Sequence, residues 1–453
     1  MRVRSTERQL RSHTEYPAPP EPALGLWSTV VLVGMAATLP LRDVAVVTAG
    51  TANVRPGDLF LVLGMLWLAK AALGREPLGL RGSVSLALCA FVAYSTFTLL
   101  WTPELALGAA RDAKLIRNLA VYAIILAHAR RSLLQTLGRF VSGALISVGY
   151  LAVTMGQAAR HAKINWAQFA GMRVLSSGML SEWRDAGIGG GTFGAGTINA
   201  LAMWLAVVLF LLVGVPSVGR RLVLRAVAVA VLLLMLIATF SRGVWLATGV
   251  AAATYWFLSV PRRVRRTTFM HFAVLGSALL VLWTARDSMP VRLIAGRLGS
   301  AGADVRDAAV SERIKLWIAG GTVLAADPVF GVGAGGVGLA VGAVSEYQKS
   351  FLHNLYVQIA VEFGVIGLGG LLVAIVAAVL ALRAGFAKNF AHEDAVWRAS
   401  QAAISAAGVV CLVEGLTGLD LGEMECWIVL AFAQACAPLA WHRTSGADLN
   451  VRR

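Results

Sequence analysis

Charge is scarce in this chain. Only 14% of its 453 residues are Asp, Glu, Lys or Arg, against roughly one quarter in an ordinary soluble domain. Acidic residues are the scarcer sign, 24 against 40 basic. That composition excludes a soluble chain divided into several water-exposed domains. Metal signatures are missing too. The seven histidines are scattered, no H-E-x-x-H occurs, and no Asp-x-Asp pair falls in a candidate outer loop, so neither a metal nor any other cofactor is expected. A serine hydrolase would need a nucleophile elbow, and there is none. The four cysteines, Cys89, Cys411, Cys426 and Cys436, lie in or beside apolar segments without metal spacing and read as small core residues that say nothing of redox compartment. No internal repeat of transporter length is present.

What the chain has is hydrocarbon. Apolar residues make up 58% of it and the mean hydropathy is +0.72, distributed in runs of about 17 to 22 residues, the length of a membrane-crossing helix. The runs fall at 23–41, 58–73, 83–101, 113–129, 134–155, 197–214, 222–240, 243–260, 269–285, 355–382, 398–414 and 427–441. They predict an all-α polytopic bundle of about twelve transmembrane helices. The net charge of +16 sits in short clusters between the runs and forms no continuous face for nucleic acid. Alternate connections carry most of it: Arg130, Arg131 and Arg139, then Arg220, Arg221 and Arg225, then Arg262, Arg263, Arg265 and Arg266. The positive-inside rule makes those connections cytoplasmic. Both termini then lie inside, as a polar tail at 1–22, read as preceding a retained signal-anchor, and a tail at 442–453. The single bundle of 23–441 keeps two long outer segments, 156–196 and 286–354.

Long loops on a membrane bundle are usually functional or disordered. The first holds Arg173, Trp183, Arg184 and the run GIGGGTFGAG before Thr197-Ile198-Asn199 starts a helix. In the second, Ile314, Trp317, Ile318, Gly321 and Leu324 recur at helical spacing up to Asp327-Pro328, which reads as an interfacial helix. Gly331, Gly333 and Gly336 spell G-x-G-x-x-G. Without a surrounding βαβ unit they are not a dinucleotide site.

Several polar residues stand out against this background. In Ser241-Arg242-Gly243, Ser241 can cap the following helix, whose N-terminus favours an anion beside the Arg242 guanidinium. The alternative is a hairpin whose arginine snorkels to headgroups. His353 precedes a long apolar helix, on which Asn354, Gln358 and Glu362 share one face. The stripe is either a polar cavity headed by a general base, or a helix cap at Asn354 with an interhelical anchor at Glu362. Arg111, Lys114 and Arg117 form a further outer stripe that meets either headgroups or the same cavity. Arg313 sits on the interfacial helix, where a solvated face is the default. Arginines and one histidine at an outer surface suit departure of a lipid diphosphate. Guanidinium forks bind its oxygens without a metal, and a base assists an attacking sugar hydroxyl.

At this point the residues resemble a known family. S-x-R…W, D-P-x-F-G-x-G and H-N-x-Y-x-Q…E-x-G-x-x-G, with SRG after a helix and Arg55-Pro56-Gly57-Asp58 at the second helix, resemble the O-antigen ligase and O-antigen polymerase superfamily. The resemblance implies a GT-C-like fold. It also implies an inverting, metal-independent transfer of a glycan from undecaprenyl diphosphate at the periplasmic face of the bacterial inner membrane. By that resemblance Arg242 and Arg313 hold the diphosphate and His353 acts on the acceptor hydroxyl. Asn354, Glu362, Gln358, Arg111, Lys114, Arg117 and Arg184 are supporting candidates. Relatives place an arginine before the glycine, and Pro-Asn after it, ahead of the sixth helix. Here Asn199 stands without the proline and the nearest arginines are Arg184 and Arg173. The acceptor is lipid A-core in a ligase, slightly favoured, or another lipid-linked glycan in a polymerase of O-antigen or exopolysaccharide. A lipid-linked sugar flippase or other transporter is the reading from a different class, with a structural membrane scaffold below it. Transporters show internal repeats and broken midplane helices, whereas this chain concentrates its polar residues in one outer segment.

Overall fold

The computed structural model describes residues 25–40, 47–49, 52–76, 78–161, 198–216, 220–239, 241–260, 308–346, 351–390, 395–416, 418 and 423–437. Its helices, in chain order, are α1 (Leu26–Thr38), α2 (Pro56–Leu73), α3 (Ser83–Phe97), α4 (Leu105–Arg131), α5 (Leu133–His161), α6 (Ile198–Gly214) and α7 (Arg220–Ala238). They continue with α8 (Arg242–Ser259), α9 (Ala308–Ala326), α10 (Val337–Val344), α11 (Leu355–Phe390), α12 (Ala395–Glu414) and α13 (Met424–Ala435). A helix occupies each apolar run expected from the sequence except 269–285, which lies outside the described residues, as do both tails and the segment 162–197. Among the described residues, one two-stranded hairpin departs from an all-helical chain. Residues Val47–Ala49 (β1) and Ala52–Val54 (β2) pair antiparallel, with Val47 opposite Val54, where β-branched residues replace helix formers.

Among the described residues, five helices are long and apolar enough to cross a membrane: 56–73, 83–100, 133–153, 355–387 and 395–414. Shorter apolar helices are 26–38, 199–214 and 424–435. Helix α6 is buried continuously from Ala200 to Leu212. A helix apolar all round needs such a site, enclosed by others. Its Trp204 meets Phe140 of α5 edge-on, and Phe140 meets Phe432 of α13. Outward rows such as Leu59, Val62 and Leu66 on α2 remain exposed. In water such rows would be an adhesive patch; against lipid they are matched.

Local chemistry explains where helices stop. Pro56 sits at the first position of α2, where its missing N–H costs nothing, and Asp58 accepts from the Arg55 N–H at 2.9 Å. Helix α9 ends at Asp327-Pro328 as its sequence predicts. Helix α11 is broken by Gly364, at φ 63 and ψ −167. Helix ends collect in two sets. At one, Arg130 donates to the Ala437 carbonyl, Ser400 to Gly214 and Arg225 to Val215, while Arg131 pairs with Glu76. At the other lie Ser241, His353, Gly415 and the loop that follows α9.

Cys411 and Cys436 are buried and Cys426 is half-buried, in keeping with small core residues. Cys89 is a correction. It points outward from α3 and is exposed, because the helix buries the opposite face through Leu88, Phe91 and Val92.

Candidate active site

The turn before α11 is built around Leu352, which is fully buried. Its N–H donates to Gln358 Oε1 at 2.9 Å, and its carbonyl accepts from Trp317 Nε1 at 2.8 Å. His353 follows in the left-handed region, φ 54. That conformation costs a non-glycine residue about 1–3 kcal/mol unless its surroundings over-determine it. Here they do. On its other side Asn354 Oδ1 accepts from the N–H groups of Tyr356 and Val357, at 3.0 and 3.1 Å, and the Leu355 N–H donates to the Gly415 carbonyl at 2.7 Å. The Phe351 ring packs edge-on against the His353 imidazole, with centroids 4.8 Å apart.

Of the polar stripe on α11, only His353 remains half-exposed. Asn354 is the helix cap. Gln358 and Glu362 are 1% and 2% exposed, and Gln358 Nε2 donates to Glu362 Oε1 at 2.8 Å. Glu362 Oε2 lies 3.1 Å from Arg111 Nε of α4, itself 9% exposed. The stripe is therefore a buried relay running from Arg111 to the peptide beside His353, and Glu362 is the interhelical anchor. The other stripe separates, because residues at i, i+3 and i+6 spread around a helix by about a third of its circumference. Arg111 turns inward and Lys114 is exposed. Arg117 lines a small crevice with Arg55, Asp58 and Met424.

Arg313 is half-buried on α9, one turn before Trp317, so the Trp317–Leu352 bond ties its helix directly to the His353 turn. Among the described residues its guanidinium makes no hydrogen bond or ion pair. Arg242 opens α8, and its side chain lies outside the described residues, as does Arg184. The preceding Ser241 does not cap α8 as the sequence suggests. Its backbone takes the capping position, but its hydroxyl donates to Asn199 Oδ1 of α6 at 3.0 Å. Asn199 and Glu414 both crowd Gly418, in the turn whose Gly415 holds Leu355. The start of α8 and the His353 turn thus flank the same 414–418 turn.

The glycine-rich loop has a different role from the one its spelling suggests. The N–H groups of Val332 and Gly333 donate to the carbonyls of Val361 and Glu362, at 3.0 and 2.9 Å, and the N–H of Val365 donates to Pro328 at 2.9 Å. These are groups that the break at Gly364 releases from the helix ladder. On the other side Trp101 donates to the Gly331 carbonyl at 3.1 Å and Thr102 to Ala334 at 2.7 Å, while the Ala334 N–H donates to Thr98 at 3.0 Å. Donors that a phosphate would need are spent on protein. A Cβ on Gly331 would stand 2.6 Å from the Glu362 carbonyl, so glycine here permits backbone to meet backbone. Neither this docking nor the Arg111–Glu362 pair is evident from sequence. The available signal was a carboxylate at membrane depth, which demands a counter-charge.

Beside the His353 turn begins a cavity of about 510 Å³. Leu355 and Tyr356 stand at one extreme, Arg383 and Phe386 at the other, with walls from α3, α8, α11, α12 and α13. Its lining is apolar almost throughout, as an acyl or isoprenoid chain requires.

Residues 227–372 match the family model described as O-Antigen ligase. No curated protein matches the chain. The matched segment contains Arg242, Arg313, His353, Gln358 and Glu362. Together with the apolar helices, the match supports a multi-pass bacterial membrane protein with a glycosyltransferase-type activity in general.

Proposed function

Starting from a chain whose residues 227–372 match the O-antigen ligase family model, we propose that it transfers a glycan from an undecaprenyl-diphosphate carrier to a sugar hydroxyl at the periplasmic face. The observation that carries this reading is that the Arg313 helix and the start of α8 both reach the His353 turn or the residues beside it, next to an apolar cavity that begins at Leu355 and Tyr356. The cavity suits the isoprenoid tail. Arg313, half-exposed and one turn from Trp317, is available to the diphosphate, and Arg242 at the start of α8 shares that task.

The chemistry then balances with the residues of the chain. The bond from the anomeric carbon to the diphosphate oxygen breaks, and its electron pair leaves with the diphosphate, where guanidinium forks stabilise the growing charge. The acceptor oxygen attacks from the opposite face and its proton passes to His353, a base contribution worth roughly 10²- to 10⁴-fold. The product is inverted. We favour lipid A-core as acceptor, in the manner of a ligase; a second lipid-linked glycan, as in a polymerase, uses the same donor chemistry.

The test is to incubate purified protein with the lipid-linked oligosaccharide of its native strain, with and without lipid A-core, and separate the products on a gel. A shifted band that requires lipid A-core is the expected result. A ladder formed from donor alone would make the chain a polymerase, and no product in either case would overturn the transferase reading in favour of transport.

A further inference from the structure

Leu352 is gripped from both sides by residues with no direct part in the proposed chemistry. Trp317 holds its carbonyl and Gln358 its N–H. Trp317 stands four residues after Arg313, so it shares that residue's helix face. Gln358 is itself held through Glu362 by Arg111. One buried residue, Leu352, therefore joins the helix carrying Arg313, the turn carrying His353 and, through the relay, α4. Helix α9 also approaches closely here. A Cβ on Gly320 would come within 2.9 Å of the Leu352 side chain, and Leu316, Ala319 and Val323 pack with Leu352 and Val361 in a small core of their own.

We propose that Trp317 and Gln358 are positioning residues that, by clamping the Leu352 backbone, set the separation and orientation of the Arg313 guanidinium and the His353 imidazole. The inference rests on the assignment of those two groups to donor and acceptor. In an inverting transfer the leaving diphosphate and the attacking hydroxyl lie on opposite sides of the anomeric carbon. The groups that hold them must therefore keep a fixed distance, and a misplacement of about 1 Å lowers the rate about a hundredfold. Satisfying buried polar atoms would explain each bond singly. It does not explain why both fall on Leu352, the residue that precedes His353 and whose backbone directs the imidazole.

The experiment uses the full-length protein in lipid nanodiscs. Trp317→Phe keeps an aromatic ring and deletes the N–H; Gln358→Met keeps the length and deletes both the acceptor for Leu352 and the amide donor to Glu362. For each variant and the double variant, kcat, donor KM, melting temperature and amide exchange across 351–354 are measured. The expected result is kcat reduced about ten- to a hundredfold with donor KM close to wild type in each variant, faster exchange at Leu352 in Gln358→Met, and a melting temperature close to wild type in Trp317→Phe; Gln358→Met, which also takes a donor from Glu362, should melt lower. The double variant should lose little more than the worse single one, because both act through the backbone of one residue, Leu352. Faster exchange with unchanged kcat would overturn the inference, as would losses that track melting temperature or failure of both variants to fold. An active wild type with active variants rejects the clamp alone. An inert wild type, given the right donor and either acceptor, rejects the transferase assignment and the clamp with it.

Discussion

Arg111 of α4 and Glu362 of α11 form a buried ion pair, Nε to Oε2 3.1 Å, at the point where α11 is about to break. Removing one partner of such a pair strands a charge and typically costs about 3–5 kcal/mol, whereas replacing both with apolar residues is often neutral. Glu362→Leu should therefore lower the melting temperature and the yield of folded protein sharply. The double variant Arg111→Met/Glu362→Leu should recover most of the loss. Melting in detergent checks this, and a double variant worse than the single would show that the pair is not the main interaction of either side chain.

The break itself gives a sharper contrast. Gly364 has φ 63, and a Cβ there would run into the Val329 carbonyl, while Gly369 of the same helix has open space around it. Gly364→Ala is expected to destabilise by at least about 1–3 kcal/mol, since strain and collision add. Gly369→Ala should be neutral or slightly stabilising, as alanine is the better helix former. Equal effects would mean that the loop after α9 does not dock as described.

Arg313→Lys keeps the charge and loses the planar fork. Transfer should fall at least tenfold with melting unchanged, and Arg242→Lys should behave alike. Activity of the wild type should persist in excess EDTA, because the forks supply the positive charge. Unchanged rates in both lysine variants would make these arginines headgroup anchors, and a loss in EDTA restored by a divalent ion would contradict the metal-free reaction.

The cavity separates donors by tail length. Val409 of α12 lines its wall, and Val409→Trp should fill part of it. Donor KM should rise for the full-length polyprenyl substrate and stay near wild type for a donor carrying only two or three isoprene units. Equal effects on both would place the tail elsewhere.

Helix positions were legible because long apolar runs have few alternatives in a membrane, and the Asp327-Pro328 stop because proline cannot continue a helix. Gly364 was not legible. A lone glycine within an apolar run reads as helix, and its break depends on carbonyls that a distant loop satisfies. For the same reason the sequence rules out a dinucleotide site at Gly331, Gly333 and Gly336 but gives no sign that this loop docks on Val361 and Glu362 and on Trp101, Thr98 and Thr102. His353 stood out in sequence as the head of a polar stripe, whereas Arg313 read as an isolated charge on a solvated face and only the family resemblance singled it out. That they are joined through Trp317 and Leu352 is a long-range fact, invisible to spacing along one helix.

The most direct measurement is single-turnover transfer with labelled native donor, run in parallel with donor binding, for the wild type and His353→Ala. The expected result is that His353→Ala binds donor as the wild type does and transfers at least a hundredfold more slowly. Transfer by His353→Ala at the wild-type rate would contradict the assignment of this turn as the catalytic centre.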